Sequence, residues 1–317
     1  MKSIVTALVG LLLITADAQA DTIRFQTDWK AQAEHGGFYQ ALALGFYQAE
    51  GLDVVIKPGG PQVDNPRLLA AGALDIAMAS NSFQPFAMQA AGVDAKIVMA
   101  AFQKDPQVLM VHGDSNATGF KDLKGKPIFI ADSALATFWP WLQARFGFEN
   151  RQIRKYTYSI APWLVNKGTV LEGYVSSEPY TAREAGADPK VFLFSDEGYP
   201  GYAAMVIVRT EYLEANPETV RAFIRASIKG WQSYIFDDPT PGNQLILKDN
   251  PEMTAGLLDY AVGEMRSRNM LGSREKVGHM DIERWQAFYD EMSALGAVDK
   301  GLSVDKSVSL DYLPSRP

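Results

Sequence analysis

Residues 28 to 37 read DWKAQAEHGG and hold one of only 3 histidines and one of 6 tryptophans in the chain. An acid, an indole and an imidazole this close together can grip a flat polar molecule. The indole offers a stacking face, and the carboxylate and imidazole offer directional hydrogen bonds. The same groups could instead serve acid–base catalysis, so other signatures must decide between the two. The chain has no Gly-x-Ser-x-Gly elbow, no His-Glu-x-x-His pair and no Walker loop. His35, His112 and His279 lie too far apart for metal-ligand spacing. There is no cysteine, which removes thiol nucleophiles and thiolate metal sites. These features predict reversible binding of a small molecule, with no metal, no cofactor and no chemical step.

Each candidate residue also has a plain structural reading. Trp29 is either a stacking face at a strand end or an anchor of the core. His35 is a ligand partner or a helix cap. Asp28 meets a ligand amino group or holds its own loop. Gly36 and Gly37 allow the backbone to approach a ligand. Ser80 and Asn81 serve a ligand or a turn. Ser133 to Thr137 open a helix whose amides can receive polar atoms. Trp139, Trp141 and Trp163 form an aromatic surplus, and the expected cleft residues among them are Trp139 and Trp163. Glu178 stands before Pro179, where an extended or turn conformation is favoured, and either accepts from an amino group or is a solvated loop charge. Tyr202 closes over the ligand or packs a hinge.

The elements that must position these residues alternate between strand and helix. TIRFQT (22–27), LDVVIKPGG (52–60), 75–79, 94–103 and 107–113 read as strands, and 36–51 and 65–72 as helices. The rhythm then restarts with strands near 126–130, 151–159, 168–180 and 189–196 and a helix at 134–148. A strand at about 202–208 leads to a long helix entered at Asn216-Pro217, with proline in a favoured first position. Its periodic apolar face makes Trp231 a core residue. The pattern predicts an α/β protein of two lobes, each a mostly parallel sheet flanked by helices, joined by a two-strand hinge. Lobe 1 is expected over 21–112, lobe 2 over 113–204, and a return crossing with C-terminal helices over 205–317. The crossings are expected near Val111–Ser115 and Tyr202–Val208.

Composition narrows the setting. The first twenty residues, MKSIVTALVGLLLITADAQA, carry a positive start, a short apolar run and a small-x-small end at Ala18-Gln19-Ala20. They predict a leader cleaved after Ala20 and a chain released into the periplasm. No later run is apolar enough to span a bilayer. A net charge of −7 without a basic cluster makes nucleic acid and anionic lipid poor partners. A monomer is expected.

The stretch DWKAQAEHGGFYQALALGFYQAEGLDV (28–54), with GGP (59–61) and LAAGALDIAMAS (69–80), resembles the family that handles the pyrimidine half of thiamine. GYVSSEPY (173–180) and NPETVRAFIRASIKGW (216–231) extend the resemblance over most of 22–236. That family contains periplasmic binding proteins for pyrimidine precursors and a fungal pyrimidine synthase. Its signature, Asp-Trp and then His-x-Gly five residues on, falls on Asp28-Trp29 and His35-Gly36-Gly37. The resemblance implies a type II periplasmic-binding-protein fold and the solute-binding role of an ABC importer. It also implies a membrane permease as partner and a ligand of hydroxymethylpyrimidine or formylaminopyrimidine type. Two departures stand out. Lys30 to Glu34 replace a gap that often contains Pro-Asn, and the cysteine cluster of the synthase branch is missing. Receptors for aliphatic sulfonates or nitrate share the fold and remain an alternative, but they would want a basic cleft. A pyrimidine-processing enzyme is the alternative from another class.

Overall fold

The structure is a computed structural model and describes residues 22–61 and 63–315. The leader expected over residues 1–20 lies outside the described residues. The strands in chain order are β1 (Thr22–Gln26), β2 (Asp53–Lys57), β3 (Ile76–Asn81), β4 (Ala95–Phe102), β5 (Gln107–His112), β6 (Ile128–Ile130), β7 (Ile153–Lys155), β8 (Val170–Tyr174), β9 (Pro189–Leu193) and β10 (Ala203–Arg209). They form two five-stranded sheets, ordered β2-β1-β3-β10-β4 and β7-β6-β8-β5-β9.

Each sheet is mixed, with four strands running in one direction and one against them. β1 pairs in parallel with β2 and β3, and β6 with β7 and β8. β10 lies antiparallel between β3 and β4, and β5 antiparallel between β8 and β9. In each sheet the strand that the chain enters from a crossing, β5 or β10, runs against the other four.

The crossings differ from the expected ones. β5 was expected at the end of the first lobe, but it pairs in the second sheet. The chain therefore crosses at 103–106, the polar break Gln103-Lys104-Asp105-Pro106, and not near Val111–Ser115. It returns after β9 through a short turn, Phe194–Glu197, and β10 lies wholly in the first sheet. Two successive apolar strands carry no mark of which sheet each one joins.

Helix packing fixes the base of the first lobe. The helix Pro217–Phe236 buries Val220, Phe223, Ile224, Ser227, Ile228, Trp231 and Ile235 along one face, so Trp231 is core as expected. It lies against the helix Gly36–Ala43 at very short range. A Cβ on Gly37 would sit 2.1 Å from the Trp231 ring, and one on Gly230 would sit 2.2 Å from the Gly37 carbonyl oxygen. The C-terminal helices also touch the second lobe. Tyr260, in the helix Ala255–Ser267, donates to the Val175 carbonyl at 3.1 Å. Glu291, in the helix Ile282–Ala294, accepts from the Trp141 indole at 3.1 Å.

Candidate functional site

The parallel strands β1 and β3 are neighbours, so the segments leaving their C-terminal ends meet. One carries Asp28 and Trp29, and the other Ser80 and Asn81. The upper ends of such strands are where open α/β sheets receive ligands. The Asp-Trp loop is braced from behind. Thr27 Oγ1 donates to the Trp29 carbonyl at 2.7 Å, and the Gly59 amide donates to the same carbonyl at 3.0 Å. A Cβ at Gly59 would lie 2.4 Å from the Thr27 carbonyl oxygen, so this turn admits only glycine.

Asp28 and His35 form a pair. His35 Nε2 lies 2.9 Å from Asp28 Oδ1, and the imidazole is buried. A carboxylate accepts, so Nε2–H donates, which leaves Nδ1 as the second nitrogen. Nδ1 is buried and has no hydrogen-bond partner among the described residues. Burial alone would raise the Asp28 carboxyl. The hydrogen bond and charge of His35, with a hydrogen bond from Ser80, outweigh it and hold the group below the ordinary carboxylate range.

The second lobe answers from the end of β8. Tyr174, Ser176 and Glu178 follow one another there. Ser176 Oγ donates to the buried carboxylate of Glu34, a contact between the two lobes. Burial pushes the Glu34 carboxyl up, and the Ser176 bond offsets only part of this. Glu178 accepts from the Tyr174 amide at 2.7 Å, from Ser177 Oγ at 2.6 Å and from the Tyr156 hydroxyl at 3.2 Å. Glu172 is pushed up to about 8 by burial, against a hydrogen bond from the Ala131 amide. Burial pushes the Tyr174 phenol well up, and the charges of Asp105, Asp28, Glu34 and Glu178 act in the same direction.

These groups surround a cavity lined by Asp28, Gln32, Glu34, His35, Ser80 and Tyr174, with the crossing residues Phe102, Pro106, Ala203 and Ala204 at its side. It measures ≈ 10 Å³, room for about one water. Among the described residues its lining includes two carboxylates and no lysine or arginine. The half-buried Trp29 ring lies 5.0 Å from the ring of Tyr158, tilted by 47°. Tyr158 follows β7, is 55% exposed and has φ +61°. That backbone conformation costs a non-glycine residue about 1–3 kcal/mol and tends to occur at ligand clamps. The Ser133 side chain lies close to the Tyr158 hydroxyl.

Of the expected residues, Asp28, His35 and Ser80 line this cavity, Trp29 and Ser133 lie beside Tyr158, and Glu178 follows the end of β8. Several other expectations are corrected. Gly37 faces Trp231 in a helix contact and has no room for a ligand. Asn81 accepts from the Phe83 amide at 3.1 Å, which is a turn role. Thr137 Oγ1 donates to the Ser133 and Ala134 carbonyls of its own turn. Trp139 is buried on Phe148 with its indole N–H on Asn150 at 2.9 Å, and buried Trp163 stacks on His112 at 3.9 Å. Both are core residues of the second lobe, and so is Trp141. Tyr202 is buried under Arg284, accepts from the Asp281 amide at 3.0 Å and packs the hinge.

Glu34, Gln32, Tyr174, Ser176 and Tyr158 were not singled out by sequence. Glu34 sits beside His35 in the very gap that departs from the family pattern. Tyr174 and Ser176 lie in GYVSSEPY, close to Glu178. Nothing in the local sequence marks Tyr158.

Relatives extend the comparison beyond this chain. A formylaminopyrimidine-binding protein from Halalkalibacterium halodurans is 25% identical over 311 residues, 90% of this chain and 92% of the relative. The riboflavin-binding protein RibY from Chloroflexus aurantiacus is 26% identical over 289 residues, 87% of this chain and 82% of the relative. Among solved structures, the periplasmic aliphatic sulphonate binding protein SsuA from Escherichia coli superposes with a TM-score of 0.66 at 16% identity, covering 91% of this chain and 92% of the other. That likeness shows the periplasmic-binding-protein fold. Residues 32–241 match the family described as NMT1/THI5 like, which is most of the chain, so this protein belongs to the NMT1/THI5-like family.

Proposed function

We propose that this protein is the solute receptor of an ABC importer, exported to the periplasm, and that its ligand is a small amino-bearing planar heterocycle of the thiamine-pyrimidine-precursor class. The observation that carries the ligand class is the character of the cleft. Acids and aromatic rings meet there, and among the described residues no lysine or arginine lines the cavity. A ring with exocyclic amines presents donors, and Asp28, Glu34 and Glu178 are acceptors. The buried Nδ1 of His35, without a partner among the described residues, is available for a further hydrogen bond to the ligand. A sulfonate would need cationic donors at the same place. The formylaminopyrimidine-binding relative supports the same class.

Function follows from the lobes. A cavity of ≈ 10 Å³ admits a heterocycle only if the lobes part. A ligand touched by both lobes then gives the closed form the differential affinity that drives closure. A membrane permease would read the closed form. Neither a metal nor a nucleophile is required, and the Asp28–His35 pair orients rather than reacts.

Mass spectrometry of the small molecule that leaves the protein on denaturation tests the ligand class. A pyrimidine is expected. A sulfonate or a nitrate would overturn it. Conversion of a pyrimidine into a new product, above a heat-treated control, would overturn the receptor reading.

A further inference from the structure

A second cavity of ≈ 390 Å³ lies away from the cleft. Its walls include Lys104 of the first crossing, Asn269 and Lys276 of the turn after the helix Ala255–Ser267, and His279, Asp281 and Arg284 at the start of the helix Ile282–Ala294. Lys104, Lys276 and Arg284 bring three cations against the one carboxylate of Asp281. Among the described residues none of the three joins an ion pair. The protein as a whole carries −7, so this concentration of positive charge is a local exception.

Donor capacity remains on each cation. Lys104 Nζ donates one hydrogen bond, to the Arg268 carbonyl at 3.1 Å, of the three an ammonium can make. Arg284 uses Nε on the Pro200 carbonyl and Nη2 on the Gly201 carbonyl, each at 2.8 Å, and its Nη1 makes no hydrogen bond to a carbonyl or carboxylate among the described residues. The exposed ammonium of Lys276 has no hydrogen bond among the described residues. Unpaired ammonium and guanidinium groups converging on one concavity are the donor set that recognises phosphate oxygens.

The position matters as much as the charge. Lys104 is part of the first crossing. Arg284 holds two carbonyls of the second and lies 3.8 Å over the Tyr202 ring. Gln103 adds amide bonds from the first crossing to the Met270 and His279 carbonyls, both at 2.8 Å. We propose that this cavity is an oxyanion site of the phosphate class, in which Lys104, Lys276 and Arg284 clasp the anion and tie the hinge to the C-terminal helices.

The test is calorimetric titration of the whole protein at constant ionic strength with inorganic phosphate and, separately, with glycerol phosphate. Saturable one-site binding of either is expected, and the tighter of the two tells whether a free anion or a phosphoester is the source. Lys104→Ala and Lys276→Ala should each weaken that binding at least fivefold, with unchanged thermal midpoints. Trp29→Ala should leave it unchanged, because Trp29 lies on the Asp28–His35 loop and not in the wall of this cavity. Absence of saturable binding to both probes would overturn the proposal. So would equal affinity in the two lysine variants, or loss of binding in Trp29→Ala.

Discussion

Glu34 of the first lobe accepts a hydrogen bond from Ser176 of the second, and both side chains are buried. A buried carboxyl is costly to leave unpaired, so this contact ties lobe closure to a single donor. In Ser176→Ala the Glu34 carboxyl can recover its partners from water only if the lobes separate. Solution scattering of this variant should show a larger radius of gyration than the parent, with little change in thermal midpoint. A superimposable scattering curve would show that other contacts hold the lobes.

The helix contact at Gly37 gives a second expectation. Gly37→Ala places a Cβ about 2.1 Å from Trp231 and must displace an indole packed among Phe38, Phe102 and Tyr234. Overpacking of this kind costs about 1–3 kcal/mol. Urea unfolding should show that loss, while the folded variant keeps the parent's ligand affinity. Parental stability with weakened binding would return Gly37 to the ligand site.

Glu172 predicts a pH dependence. Its folded carboxyl is pushed up to about 8, whereas the unfolded group titrates near 4.3. Between these values the folded chain holds a proton that the unfolded chain has released. Stability from this group is therefore full below about pH 4 and is lost as pH rises to about 8. Glu172→Gln keeps the shape and the acceptor for the Ala131 amide without the titration. The variant should gain on the parent with rising pH, by about 2 kcal/mol or more between pH 4.5 and 8. A stability difference that stays flat across this range would contradict the assignment.

The tryptophans separate two roles. Trp163→Ala opens the second-lobe core and should cost about 3–5 kcal/mol of stability. Trp29→Ala removes a half-buried ring at the cleft. It should unfold near the parent's midpoint but lose about 1 kcal/mol of stacking and about 2 kcal/mol of burial on binding, a hundredfold or more in affinity. Normal folding with parental affinity in Trp29→Ala would make it a structural residue.

Much of this was legible because strand ends are legible. Asp28, Trp29 and Ser80 follow apolar runs whose parallel pairing brings them together, and His35 is held by the same loop. The aromatic surplus was read too generously. Trp139 and Trp163 are large apolar side chains on short elements, and only the depth of the second-lobe core shows that they fill it. Glu34 and Ser176 become partners through lobe closure, across 142 positions of chain, and local pattern carries no trace of such a pairing. Tyr158 owes its place to a left-handed backbone angle at a non-glycine residue. The crossings were displaced because β4 and β5 are both continuous apolar strands, and the polar Gln103–Asp105 break between them reads equally well as a turn within one sheet.

The central claim is that an acidic, aromatic cleft selects an amino-bearing heterocycle. Calorimetric titration of the parent and of Glu178→Gln against formylaminopyrimidine, riboflavin and an aliphatic sulfonate tests it most directly. The account predicts tight one-site binding of the pyrimidine, none of the sulfonate, and a loss in Glu178→Gln that is larger for the amine-bearing ligand than for an analogue without the amine. Binding of the sulfonate or of riboflavin in preference to the pyrimidine would contradict it.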